Sequence, residues 1–177
     1  MKLWIKRAWL ELCLWLRLLR NQFLRPFGGA VGAEARLFGR LIKADGTEKD
    51  LGLLSTRVVT DAGVAFIVDA FQNTTELETM KYHAAGTSGT AENQTDTTLG
   101  TEVETRGTGT TAEGASANIY QTVGTVSFTA TRSIVEHGVF SAAASGTLLD
   151  RSVFTSIGVD NGDSIQFTYE LTFPANG

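Results

Sequence analysis

The chain has 177 residues, 42% of them hydrophobic, enough for one well-buried domain but cramped for two. Its single cysteine, Cys13, excludes an intramolecular disulfide framework. The net charge of −4 hides a division: residues 1–25 carry six basic side chains against one acidic, a net +5, and the remainder carries nine against eighteen, a net −9. A basic arm therefore precedes an acidic body, and such a split points to two different partners for the two parts.

The arm reads MKLWIKRAWLELCLWLRLLRNQFL and contains neither proline nor glycine before Pro26. Ile5, Trp9, Leu12, Leu16, Leu19 and Phe23 recur at alternating steps of four and three, the seam of an amphipathic helix over residues 1–25. Trp15, with Trp4 and Ala8, widens that seam, while Lys2, Lys6, Arg17 and Arg20 form a cationic face opposite. The longest uncharged run is Leu12–Leu16, far short of the roughly 20 residues a spanning helix needs, and the same charges interrupt the apolar region of a signal peptide. Three uses of the stripe remain open: packing on its own body, joining helices of the same or another chain, or lying in a membrane interface. Heptad spacing favours the second, which makes Ile5, Trp9, Leu12, Trp15, Leu16, Leu19 and Phe23 the candidate partner-binding residues and the isolated protein a homo-oligomer.

Proline and clustered glycine at 26–33 make a joint, and the body follows over 34–177. Glu34 to Ile42 reads as a strand that turns at Ala44-Asp45-Gly46-Thr47 into Leu51–Leu54 and Val58-Val59. Thr60-Asp61 caps a short helix over Ala62–Phe71, with Val64, Ile67, Val68 and Phe71 on one face. Met80–Ala85 reads as another strand. From 86 to 117 there are six glycines, ten threonines and almost no large apolar side chains, which predicts an excursion outside the core, with extended segments ordered by neighbouring subunits. Alternation resumes at Asn118–Ala130, where Tyr120, Val126 and Phe128 share a side, and three or four strands follow between Ser133 and Phe173. In the last of them Ile165, Phe167, Tyr169, Leu171 and Phe173 alternate with polar residues, and the preceding Asp160-Asn161-Gly162-Asp163 predicts a tight hairpin turn. The whole is expected to be mainly β: an antiparallel, jelly-roll-like β sandwich with one short helix, preceded by the amphipathic α-helical arm.

Reactive chemistry is sparse. His83 and His137 are the only histidines, with no HxH, HExxH, CxxC or clustered carboxylates around them. They read as ordinary strand histidines, each replaceable by Ala with folding and assembly nearly unchanged. Cys13 sits among leucines without a base, as a small apolar side chain. Gly86-Thr87-Ser88-Gly89 and Gly107-Thr108-Gly109-Thr110 lack the lysine of a phosphate loop and read as turns. Asp150-Arg151, Asp160 and Asp163 read as ion pairs, surface pairs of this kind carrying little energetic weight, with a loop cation site as the second reading. The arm's aromatic residues face away from its basic ones, unlike a nucleic-acid stacking surface. No catalytic residue, metal ligand or cofactor follows from these patterns.

The run TVSFTATRSIVEHGVFSAAASGTLLDRSVFTSIGVDNGDSIQFTYELT, with VVTDAGVAFIVDAFQN and KYHAAGTSGTAE upstream, resembles small structural proteins of tailed bacteriophages, the decoration and fibre-like virion proteins. The resemblance covers about Val58 to Phe173 and leaves the basic helix outside it. It implies a virion role without enzymatic activity, a trimer, and attachment to the major capsid protein or other virion proteins after synthesis in the bacterial host cytoplasm. Capsid decoration is the first expectation, a tail-fibre or receptor-binding module in which the Thr/Gly-rich excursion carries host recognition the second, and a carbohydrate-active enzyme the third. For the enzyme there is no carboxylate pair whose setting separates two pKa values.

Overall fold

The computed structural model describes residues 33–56, 59–72 and 79–173. The arm over 1–25 with its seven seam residues, Cys13, and the joint up to Gly32 lie outside them. Within the described residues the chain forms nine strands: β1 (Glu34–Ile42), β2 (Glu48–Ser55), β3 (Tyr82–Gly86), β4 (Glu102–Thr108), β5 (Thr110–Glu113), β6 (Ile119–Ser127), β7 (Arg132–Phe140), β8 (Leu148–Val159) and β9 (Ser164–Thr172). One helix, α1 (Asp61–Phe71), lies between β2 and β3.

The strands form a five-stranded sheet, β2-β1-β9-β6-β5, and a four-stranded sheet, β4-β3-β7-β8, with every pairing antiparallel. The body is therefore mainly β, a two-sheet sandwich with one short helix. Its core is built from the inward residues of both sheets: Leu37 and Leu41 of β1, Val126 of β6, Ile165, Phe167, Tyr169 and Leu171 of β9, Ala85 of β3, Ile134 and Val139 of β7, and Leu149, Ile157 and Val159 of β8. Strand β9, between β1 and β6, alternates buried and half-buried residues without a fault, as its sequence predicts.

The β1–β2 hairpin forms where the glycine of Ala44-Asp45-Gly46-Thr47 predicts it: Gly46 takes φ +84°, and Lys43 and Thr47 close the loop by a 2.8 Å backbone bond. The turn at Asp160–Asp163 differs from its expectation. Gly162 does take a positive φ, but β8 and β9 belong to opposite sheets, so Asn161-Gly162 is a crossover rather than a hairpin turn. Contacts with two other connections decide this. The Gly162 N–H donates to the Phe128 carbonyl, and the Asp163 carboxylate accepts from the Lys43 ammonium at 2.6 Å and from the Ala44 and Asp160 N–H groups at 2.9 Å. With the Lys43 bond as the main cause, the Asp163 carboxyl lies below the usual carboxylate range; it ties the β8–β9 connection to the β1–β2 one, and backbone bonds of Gly162 and Asp163 to Phe128 add the β6–β7 connection. Asp160, another member of the expected surface cluster, also sits 3.8 Å from Lys43.

The helix begins at its predicted cap: the Thr60 hydroxyl accepts from the Gly63 N–H and donates to the Leu148 carbonyl. Its packed face differs in part from the one expected: Ile67 is half-buried, as predicted, but the two valines are not. Val64 and Val68 are 51% and 48% exposed, whereas Gly63 and Phe66 are buried. The cause is a close approach: a Cβ at Gly63 would meet the Leu149 carbonyl at 2.7 Å, so the contact with β8 centres on that glycine and rotates the valines outward.

The Thr/Gly-rich segment 86–117 contains β4 and β5, which lie in different sheets and are separated by Gly109 alone. Only glycine fits this switch, since a Cβ would stand 2.5 Å from the Thr122 hydroxyl and 2.8 Å from the Lys81 carbonyl. Leu99, one of its few large apolar side chains, is buried against Ala84, Phe140 and Leu148.

Candidate functional site

The sandwich interior is polar at its centre. His83 on β3 and His137 on β7 are both fully buried, and His83 Nδ1 lies 3.0 Å from His137 Nε2. His83 Nε2 lies 3.2 Å from the Thr122 hydroxyl of β6, and the His137 ring packs on Phe167 at 4.4 Å. Gly124 makes room for this, because a side chain there would collide with the His83 ring. The two residues are strand histidines, as expected, but their burial overturns the expectation that alanine is tolerated: removing either ring leaves a cavity and an unpaired nitrogen in the core. Burial depresses the His83 pKa to about 4, and burial together with the neighbouring His83 drives His137 well below the ordinary histidine value.

Beside them on β8, Asp150 is fully buried, its carboxylate accepting from the Ser152 hydroxyl at 3.0 Å. Burial raises its pKa well above that of an ordinary aspartate, and burial likewise raises the Tyr169 phenol. Asp150 is thus a buried carboxyl whose ionised form is disfavoured, not the surface ion-pair member its sequence suggests. Replacing it with asparagine is expected to raise stability at about pH 8, because the unfolded carboxyl is ionised there and its ionised form is penalised by folding. Denaturant unfolding of Asp150→Asn beside the parent checks this, and equal or lower stability refutes it.

A second cluster lies on the other face of the four-stranded sheet. Glu136, fully buried on β7, accepts from the N–H groups of Ser88, Gly100 and Thr101 at 2.8–3.0 Å and from Arg151 Nε and Nη2 at 3.0 and 2.8 Å. Arg151, 3% exposed, also donates to Asp96 at 2.8 Å and to the Thr90 carbonyl at 3.0 Å. Burial pushes the Glu136 carboxyl up, but the Thr101 N–H, Arg151 and the other two N–H donors outweigh it and hold the group ionised, below the usual glutamate range. Glu136 and Arg151 thus clasp the segment 87–101 over the sheet, with Leu99 inserted beneath it. In place of a surface pair of little weight, Arg151 belongs to a buried one.

The outer face of the five-stranded sheet carries no such cover from the described residues, and its register places three rows across the strands. The middle row runs Leu53, Phe38, Thr168, Val123. On one side run Asp50, Arg40, Gln166, Thr125, and on the other Arg36, Glu170, Gln121. A shallow groove of about 500 Å³ lies at the β2 side of these rows. The β1–β2 pairing is irregular on both sides of Phe38-Gly39, and Gly52 takes φ +65° opposite Gly39. A second, apolar cleft of about 390 Å³ lies beside α1 between Phe66, Met80, Tyr120, Leu149 and Phe173.

Among the described residues there is no group of three or more metal-ligating side chains, and no helix is long and apolar enough to cross a membrane. The interior histidines and the Glu136–Arg151 clasp escape a reading of motifs because their partners are distant in sequence. One local signal does exist: Glu136 and His137 stand inside the apolar run Ile134–Phe140, where a charged residue needs a buried partner. The fold and these clusters define a class, a mainly β two-sheet sandwich with a sealed polar interior, a strapped face and an open one. Comparison of the chain with protein families, with curated proteins and with solved structures finds no match.

Proposed function

We propose that the protein is a non-enzymatic structural component of a tailed-bacteriophage virion, a capsid decoration or cement protein whose basic helical arm attaches an exposed acidic body. The observation that carries this reading is the division of the chain: a Leu/Trp arm of net +5 precedes a body of net −9 whose strands and turns pair among themselves. The clasped loop and laced turns suit a body that must stay folded on a particle surface. The jelly-roll-like description belongs to the same proposal and rests on the way the chain alternates pairs of strands between the two sheets. Self-association, as a trimer, and contact with the major capsid protein or other virion proteins are assigned to the arm through Ile5, Trp9, Leu12, Trp15, Leu16, Leu19 and Phe23. Burial of such side chains contributes roughly 1.5–3 kcal/mol each, ample to hold a subunit after ordering costs.

Copy number in purified virions tests the reading: hundreds per particle support decoration, and absence from the virion refutes a structural role. The arm is tested by truncation. The protein starting at residue 33 is expected to remain β-rich by circular dichroism and to lose co-sedimentation with particles lacking it, as is full-length protein carrying Leu12→Asp with Leu16→Asp. Full occupancy by the truncated form moves attachment to the body. The alternative, a tail-fibre or receptor-binding module present in a dozen or so copies, draws its support from the open sheet face.

A further inference from the structure

The two outer faces of the sandwich are treated differently. One is roofed by segment 87–101 under the Glu136–Arg151 clasp, and the other presents ordered rows of side chains with no roof from any described residue. We propose that this open face, centred on Phe38, Gln166 and Thr168, is a binding site for a neutral oligosaccharide lying across strands β2, β1 and β9.

The chemistry of the rows selects that ligand. A sugar ring has an apolar face of C–H groups and a rim of hydroxyls that both donate and accept. The middle row offers the matching apolar strip: Phe38 is half-buried, Leu53 is 51% exposed, and Thr168 adds its methyl group. The flanking rows offer planar amide, carboxylate and guanidinium groups, which bond pairs of hydroxyls. Neighbouring strands lie about 4.8 Å apart, so the strip from β2 to β9 extends roughly 10 Å, the scale of a disaccharide or longer rather than of one sugar.

Charge argues for a neutral ligand. Arg40 is paired with Glu48 at 3.1 Å, and the rows set Arg36 and Arg40 opposite Glu170 and Asp50, so neither sign of charge dominates the face. The Gln166 amide and the Thr168 hydroxyl take no side-chain hydrogen bond from any described residue and remain available. Area argues against a protein partner: specific protein interfaces bury about 800 Å² on each side around an apolar centre. Here the apolar strip is one side chain wide, with hydrogen-bonding rows on both sides.

For its biological use the site rests on the receptor-binding alternative, but binding is measured on the isolated full-length protein and location on the virion, so the two can fail separately. The probe is an array of short neutral oligosaccharides built from glucose, galactose, mannose and N-acetylglucosamine, with hits titrated by amide NMR. The expected result is saturable binding to at least one of them, with shifts confined to β1, β2 and β9. Phe38→Ala is expected to weaken it by about tenfold or more, and Gln166→Ala by several-fold. Both residues are at the surface, and a retained circular dichroism spectrum shows that the variants fold; Thr168→Arg provides an independent block by bulk and charge. Binding to none of the oligosaccharides overturns the proposal. So does binding that survives Phe38→Ala and Thr168→Arg, or particle attachment that depends on Phe38 without any oligosaccharide binding, which would assign the face to a protein partner.

Discussion

Replacing Arg151 with alanine is expected to destabilise the body by about 3–5 kcal/mol, near the lower end of that range because three backbone N–H groups still bond the Glu136 carboxylate. The loss arises mainly from what is left behind. Glu136 is fully buried, and without the guanidinium its charge faces the interior with only dipoles to compensate it. Asp96 loses the guanidinium as well, but it keeps the Asn93 N–H and, 25% exposed, returns to water at little cost. Segment 87–101 should then detach locally, since Thr90 and Asp96 are tied to the sheet through Arg151. Hydrogen exchange is expected to accelerate at Ser88, Gly100 and Thr101, and the melting temperature to fall by roughly 10 °C or more. Replacing Glu136 and Arg151 together, as Glu136→Gln with Arg151→Met, should cost less than Arg151→Ala alone, because no charge remains unpaired. A single variant that melts within a degree or two of the parent would show that the clasp contributes nothing.

Mild acid is expected to weaken the body through its buried histidines. His83 and His137 are neutral in the fold and take up protons on unfolding, so the stability they contribute is present above the unfolded pKa of 6.5 and is lost as pH falls from there towards about 4. For His83 the fall from 6.5 to about 4 corresponds to roughly 3 kcal/mol. Asp150 acts in the opposite sense. Its folded pKa is raised, so its contribution is present below 3.8 and is lost as pH rises through the folded value. Between about pH 6 and pH 5, unfolding therefore takes up protons at both histidines, offset in part by proton release at Asp150. The two histidines alone set an upper limit of about 2.7 kcal/mol per pH unit on the slope, and Asp150 lowers it. Asp150→Asn should steepen that slope, and His83→Gln should flatten it. The carboxyls of Glu136, Asp96 and Glu104, held low by their partners, lose their contribution only in more acidic solution. Urea unfolding at about pH 7, 6 and 5 measures the slopes, and NMR should show both histidine rings failing to titrate in the folded protein. A folded histidine that titrates near 6.5 would overturn the assignment.

Several elements follow from the amino-acid sequence alone because their causes are local. The alternation of Ile165, Phe167, Tyr169 and Leu171 makes β9 a strand with one buried face, Gly46 closes the β1–β2 hairpin, and Thr60 caps α1. Each rests on residues within a few positions of one another. The tertiary structure decides what depends on distant pairing. Asn161-Gly162 suits a hairpin turn locally, but Phe128, Lys43 and Ala44 hold it as a crossover between sheets. The valines of α1 satisfy the helical period equally well on either side, and the fit of Gly63 against Leu149 selects the face. His83 and His137 meet across 54 positions and Glu136 and Arg151 across 15, through strand neighbours that no motif spacing records. The open row of Leu53, Phe38, Thr168 and Val123 is likewise assembled from four strands, because a sheet joins side chains across its strands while a sequence orders them only along one.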